Sequence, residues 1–296
     1  MPETIVHIRE YLYSFTEEDN RKSGEKQFDY VDPKNREVQE EMESACTVYL
    51  KYLGAFLKKK PLKVKFKKEG FPCEASVIIP VRNRVRTIED AIRSVFRQQT
   101  NFDFNLIIVD NHSTDGTTEV IQQYAEDKRL IHLIPERDDL GIGGCWNEAA
   151  GHPSCGKFCV QLDSDDVYSG PDTLQKIVDA FYAESCAMVI GTYKMTDFDL
   201  NEIAPGIIDH REWTLENGRN NALRINGLGA PRAFYTPLLR ELKVPNTSYG
   251  EDYALGLRFS REYRIGRIYD VLYLCRRWDD NSDASLDIVR TNRNKI

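Results

Sequence analysis

The densest reactive grouping in the chain is Asp163, Ser164, Asp165 and Asp166, set directly behind the apolar run 158–162. Carboxylates crowded at a strand end repel one another, and a divalent cation relieves that repulsion. Asp163 and Asp165 are close enough in sequence to turn toward one site. Their hard oxygens suit magnesium, manganese or calcium better than zinc, and magnesium keeps coordination positions for water and phosphate. A calcium hand beginning at Asp163 is excluded, because its obligatory glycine and glutamate fall at Tyr168 and Leu174. The plainer alternative is a helix N-cap cluster ahead of Pro171 and Asp172, which needs only one acid.

Asp110 closes the apolar run 107–109 and opens the polar turn Asn111, His112, Ser113, Thr114, Asp115, Gly116. There it is placed to accept from a base or ribose, or to form the turn itself, while Ser113 or Asp115 is placed to cap the helix that follows. Glu251 and Asp252 open a helical pattern after Gly250. Acids at a helix start are stabilised by its dipole, and one of the two is also suited to take a proton from a hydroxyl. Arg276, Arg277 and Trp278 end a late apolar run. The arginines suit a diphosphate leaving group or, equally, surface salt bridges, and Trp278 suits stacking on a sugar or base. Gly141, Gly143 and Gly144 are not a dinucleotide fingerprint, because Trp146 stands where its third glycine belongs. P-loop, metalloprotease and nucleophile-elbow patterns are absent, and His7, His112, His132, His152 and His210 are unspaced for zinc.

These residues need elements to hold them. Strand patterns at 75–80, 104–110, 130–134 and 157–162 alternate with helical ones at 87–99, 117–124 and 141–150, followed by a helix at 172–182 and a strand at 187–193. That rhythm specifies a mainly parallel sheet flanked by helices, whose ligands sit beyond the carboxyl ends of the strands. Residues 197–232 read as loops, short strands and a variable substrate wall; a helix at 251–263 and a strand at 267–275 close the pattern. Before Cys73 the texture is helical. Ile5, Ile8, Tyr11, Leu12 and Phe15 recur at helical spacing, a polar break surrounds Asp32 and Pro33, and a second helix covers 37–57. It runs into Lys58, Lys59, Lys60, Lys63, Lys65, Lys67 and Lys68, which read as a solvated linker, with peripheral contact to an anionic membrane as the alternative.

A length of 296 residues with 41% apolar composition supports a large core in one big or two intimate domains. The net charge of -7 argues against a nucleic-acid partner. No long apolar stretch or signal-peptide layout is present, and the scattered cysteines lack framework spacing, so the expected compartment is a reducing cytoplasm. Cys155 and Cys159 read as packing residues.

From Ala75 to about Ser285 the chain resembles family 2 glycosyltransferases of the GT-A fold. The resemblance rests on Val77, Ile78, Ile79, Pro80, Val81, Arg82, Asn83, on Val109, Asp110, Asn111, Ser113, Asp115, Gly116, on 162–166, and on Gly250, Glu251, Asp252. It implies an α/β, GT-A type Rossmann-like, mainly parallel sheet with an N-terminal helical extension. The extension and basic linker would span 1–72 and the transferase domain 73–296, with a nucleotide-binding half at 75–166 and an acceptor half at 167–285. It further implies Pro80, Arg82 and Asp110 around the nucleotide, Asp163 and Asp165 as the metal pair, Asp252 as base and Glu251 beside the acceptor. Asn147 and Arg277 are expected to contact the donor. The implied cofactors are manganese or magnesium and a UDP- or GDP-type sugar donor. The implied acceptor is a saccharide or lipid-linked hydroxyl, and the reaction inverts. Two positions depart from the family: Trp146 stands where an arginine is usual, and Arg276, Arg277 and Trp278 where a histidine often follows the late strand. A catalytically inactive nucleotide-sugar or glycan-binding module of the same fold is the alternative.

Overall fold

A computed structural model describes residues 10, 12, 35–68, 70–214, 216–224, 227–278 and 281. In chain order the first elements are α1 (Arg36–Tyr52), β1 (Ala75–Val81), α2 (Ile88–Phe96), β2 (Phe104–Asp110), α3 (Thr117–Gln122), β3 (Leu130–Leu133), α4 (Ile142–Gly151) and β4 (Phe158–Gln161). There follow β5 (Val167–Tyr168), α5 (Thr173–Glu184), β6 (Met188–Thr196), β7 (Glu202–Ile208), α6 (Gly218–Asn221), β8 (Arg232–Tyr235), α7 (Thr236–Leu242), α8 (Glu251–Glu262) and β9 (Ile265–Arg276).

The strands form one sheet in the order β3-β2-β1-β4-β8-β6-β9-β5, with β7 paired to β6. The pairs β1–β2, β2–β3, β1–β4 and β6–β9 are parallel, whereas β8 runs antiparallel to both its neighbours, β4 and β6. Alternation along β1 sends Val77 and Ile79 into one core and Ile78 into the other. On the first side they meet Ile88, Ala91, Ile92 and Val95 of α2, whose helical spacing gathers them into a single stripe, and Leu174, Ile177 and Phe181 of α5. On the second side lie Trp146, Leu239 and Phe259 from α4, α7 and α8. Strands buried on both faces are continuously apolar, which explains the uninterrupted runs in the sequence.

The expected α/β alternation is present. α1 ends at Tyr52 rather than continuing to Leu57, because Gly54 turns left-handed (φ +69) and the Ala55 and Phe56 N–H groups fold back to the Leu50 carbonyl. The helix expected around 5–15 lies outside the described residues. β8 and α7 follow the stretch expected to be irregular and carry little signal: β8 is short, and only Pro237 in the first turn marks α7.

The basic run is not a solvated linker. It is an extended strap along the sheet edge where β4, β6 and β9 begin. Leu62 donates to the Glu262 carbonyl and accepts from Arg264 N–H, Val64 donates to Ser185 O, and Lys67 N–H donates to the Tyr235 hydroxyl. Phe66 turns inward, edge-on to Phe158 and Tyr235 with ring centroids 5.2 and 5.1 Å away. Among the described residues no helix is long and apolar enough to cross a membrane. The described cysteines are free; Cys155 and Cys159 are buried with sulfurs 3.5 Å apart, and no histidine, cysteine, aspartate or glutamate joins them in a metal-holding group among the described residues.

Candidate active site

The carboxyl ends of β1, β2, β4, β6 and β9 open on one cleft of about 580 Å³. Because β8 runs backwards, it is the start of that strand, at Arg232, that reaches the same rim.

β4 delivers the acids. Asp163, Asp165 and Asp166 all line the cleft, and none caps α5, whose N-cap is Asp172. Gln161 Nε2 donates to both oxygens of Asp163, at 3.0 and 3.1 Å, and the Asp163 N–H reaches the Tyr273 hydroxyl. Asp165 Oδ2 faces Asn281 Nδ2 at 3.1 Å, Trp278 Nε1 at 3.4 Å and Arg84 Nε at 3.8 Å. Asp166 is buried and accepts from the Arg276 N–H at 2.7 Å. Burial, then the charge of Asp165, holds the Asp163 carboxyl above the usual carboxylate range; burial with Asp165 and Asp163 pushes Asp166 further up. Unrelieved repulsion among hard oxygen donors is what a magnesium or manganese ion neutralises, so Asp163 and Asp165 fit such a group. No cluster of three histidine, cysteine, aspartate or glutamate side chains suited to a metal ion gathers among the described residues.

Across the cleft, α8 begins at Gly250, whose left-handed backbone (φ +75) lets the chain turn directly into Glu251 and Asp252. Asp252 accepts from its neighbour Tyr253 N–H and pairs with Arg232 Nη2. The same guanidinium donates through Nη1 to Gln161 Oε1 at 3.1 Å, and Arg232 Nε reaches Leu228 O. The Asp163 end and the Asp252 end are therefore joined through Gln161 and Arg232. Burial opposes the Arg232 charge, but Asp252, Asp163 and Glu251 hold its pKa above the ordinary value. Glu251 differs from its neighbour. Its buried Oε2 has no hydrogen-bond partner among the described residues, and burial reinforced by the Asp252 charge raises its pKa to about 7.

On the β1–β2 side, Pro80 and Arg82 line the cleft, but Asp110 lies beneath the surface, fully buried. Burial disfavours its charge, yet His132, Ser113 and Thr118 together hold it well below the usual carboxylate range, with Ser113 N–H at 3.0 Å from Oδ1 and the Thr118 hydroxyl at 2.5 Å from Oδ2. Asn111, to which the sequence reading gave no role of its own, takes the lining position: Nδ2 donates to Leu140 O, and the buried Oδ1 has no partner among the described residues. α3 is capped by Gly116, while Asp115 accepts from Val85 and Thr117 N–H groups and ties the β1 and β2 loops together.

Asn147 is not brought to this cleft. Its carboxamide exchanges hydrogen bonds with the Val244 backbone, at 2.7 Å to Val244 O and 2.9 Å from Val244 N, so it braces the loop before α8. Trp146 lines the cleft as packing, edge-on to Phe234 with centroids 5.9 Å apart. The glycines before it admit that same loop. A Cβ on Gly143 would fall 1.8 Å from Pro245 O and one on Gly144 2.3 Å from Asn246 Oδ1.

Of the two C-terminal arginines, Arg277 lines the cleft. Arg276 turns inward, where Nη1 meets Asp90 Oδ2 at 2.8 Å. Trp278 is held by Arg86, whose guanidinium carbon lies 4.9 Å from its ring centroid. Asp279, Asp280 and Ser282 lie outside the described residues. Gln161, Asn111, Arg232 and Asn281 were not anticipated. Gln161 carried a signal as the one polar residue within an otherwise apolar run, and Asn111 as a member of the turn on which the resemblance rests.

A family model described as Glycosyl transferase family 2 matches residues 76–241. A Bacillus subtilis protein named as a teichuronic acid biosynthesis glycosyltransferase is 34% identical over 120 residues, covering 40% of this chain and 46% of that one. A Salmonella anatum protein named as an O-antigen chain rhamnosyltransferase is 27% identical over 129 residues, covering 44% of this chain and 39% of its own. The chain thus spans less than half the length of these two relatives. Among solved structures, S. aureus TarS 1-349 in complex with UDP-GlcNAc has a TM-score of 0.60 at 21% identity, covering 73% of this chain and 62% of that one. A mannosyltransferase from Pyrobaculum calidifontis in complex with GDP-Man and Mn2+ has a TM-score of 0.51 at 19% identity, covering 83% and 68%. These two likenesses establish the shared fold.

Proposed function

The chain belongs to glycosyl transferase family 2, and from that premise we propose that it moves a sugar from a nucleoside diphosphate donor to a hydroxyl of a saccharide or lipid-linked acceptor, inverting the anomeric carbon. The observation that carries the reading is one cleft holding both Asp163 with Asp165 and Glu251 with Asp252, linked through Gln161 and Arg232.

Asn111 lines the cleft with an Oδ1 that has no partner among the described residues, which supports a nucleobase N–H as its partner and a donor of UDP or GDP type. Asp110 supports that turn from below, Pro80 and Arg82 flank it, and Arg277 faces the diphosphate. Asp163 and Asp165 would hold a magnesium or manganese ion, which supplies neutralisation of the charge developing on the departing diphosphate. Asp252 accepts the proton of the acceptor hydroxyl while that oxygen attacks the anomeric carbon on the face opposite the diphosphate. Arg232 holds Asp252 in orientation. One displacement of this kind gives inversion. The relatives' names, from teichuronic acid and O-antigen chain synthesis, support a polysaccharide acceptor. We assign residues 73–296 to the transferase domain and 1–72 to an extension, in a reducing cytoplasmic setting.

A second reading gives the proton to Glu251. Its unpartnered oxygen and pKa of about 7 suit a general base near neutral pH, whereas Asp252 is engaged by Arg232. Product analysis with radiolabelled UDP- and GDP-sugars plus manganese tests both. Asp165→Asn is expected to abolish transfer. Asp252→Asn is expected to abolish transfer while donor binding persists, and turnover by that variant alongside an inactive Glu251→Gln would hand the base role to Glu251. Donor binding without product for the unaltered chain, across an acceptor panel, would favour the inactive binding module.

A further inference from the structure

We propose that the strap and the end of α1 that feeds it form a docking surface for an anionic lipid bilayer. Between Glu43 and Glu69 the chain carries no acid and the lysines 51, 58, 59, 60, 63, 65, 67 and 68. In the strap, Val64 and Phe66 turn inward to the core, so Lys63, Lys65 and Lys67 turn outward by the alternation of an extended chain, and all three are exposed. Lys58, Lys59 and Lys60 are exposed as well. None of these six makes an ion pair with a described residue. Pinning by Phe66 and by the hydrogen bonds of Leu62, Val64 and Lys67 makes the row a fixed feature, so little ordering is lost when it meets a charged surface.

The second component is apolar. α1 buries a single apolar side chain, Leu50, and otherwise makes polar contacts toward the protein, with Gln39 bonded to Arg224 and Glu43 to Asn221, while several large apolar residues face solvent. At its C-terminal end these are Val48, Tyr49, Tyr52 and Leu53, with exposures of 61%, 51%, 70% and 54%. Leu62, 58% exposed, is a further apolar side chain within the strap itself. A fixed cationic row beside protruding tyrosines and aliphatics matches an anionic interface, where lysines reach phosphate and apolar tips enter the acyl boundary. The acids Glu37, Glu40 and Glu41 sit at the far end of α1, which confines the contact to residues 48–68. This surface lies at the start of β4, β6 and β9, and the cleft lies at the opposite ends of those strands.

Sedimentation of the full chain with phosphatidylcholine vesicles, alone or mixed with phosphatidylglycerol, tests the proposal. Binding is expected only with phosphatidylglycerol and is expected to fall in high salt. Substituting Lys63, Lys65 and Lys67 together by glutamate is expected to lower partitioning by at least about tenfold. Tyr52→Ala with Leu53→Ala is expected to lower it without altering the salt dependence. Both variants change exposed side chains, and circular dichroism checks their folding. UDP with manganese is expected to leave vesicle binding unchanged, which separates this surface from the cleft. Equal binding to neutral vesicles, binding indifferent to the lysine substitutions, or a dimer in light scattering that dissociates on Tyr52→Ala with Leu53→Ala would overturn it, the last by assigning the face to a second copy.

Discussion

Glu251 carries the most distinctive ionisation in the cleft. Its folded pKa of about 7 stands above its ordinary 4.5 because burial and the Asp252 charge disfavour the carboxylate. The folded protein thus holds this proton more tightly than the unfolded chain, so the stability it contributes is complete below pH 4.5 and is lost as pH rises through about 7. Glu251→Gln, neutral at every pH, is accordingly expected to raise the melting temperature by about 3 °C at pH 8 and to change it little at pH 4.5, as read by calorimetry. The acids of the cleft were legible because each follows a strand or a glycine turn, and the structure removes the capping alternative for 163–166, since the N-cap of α5 is Asp172. Arg232 was not legible. It is one arginine in an irregular stretch, and only the pairing of β8 with β4 brings it to Gln161 and Asp252.

Among the elements, α4 shows how composition misleads when it is separated from packing. Its glycines fit no nucleotide-binding fingerprint; they admit the 245–247 backbone, and Gly143 N–H donates to Thr247 O at 3.1 Å. Gly143→Ala drives a Cβ against a carbonyl that cannot move without disturbing the loop before Glu251. A loss of about 2 kcal/mol or more is expected in urea unfolding, with activity falling as well. Alternation of strand and helix was readable from the periodicities of α2, α5 and β1. The direction of β8 was not, since a four-residue strand has the same composition whichever way it runs. Asn147 illustrates the same limit, as its reciprocal bonds to Val244 join positions far apart in sequence.

At the scale of the whole molecule, the strap closes the sheet edge opposite the cleft, and Phe66 is its anchor. Phe66→Ala is expected to destabilise the protein by about 2 kcal/mol and to speed tryptic cutting at Lys63, Lys65 and Lys67. An unchanged cutting rate would mean that the backbone bonds suffice to hold the segment. The excursion between β6 and β8 has a different character. Since β6 finishes and β8 starts on the same side of the sheet, residues 197–231 leave from the mouth of the cleft and return to it. That stretch gives β7 to the sheet and is tied back at further points, by Asn221 to Glu43 and Arg224 to Gln39 of α1 and by the Ala222 carbonyl to the Tyr253 hydroxyl of α8. Changes along its exposed turns therefore reshape the mouth of the cleft with the floor of acids left in place, whereas changes at those ties also disturb α1 and α8.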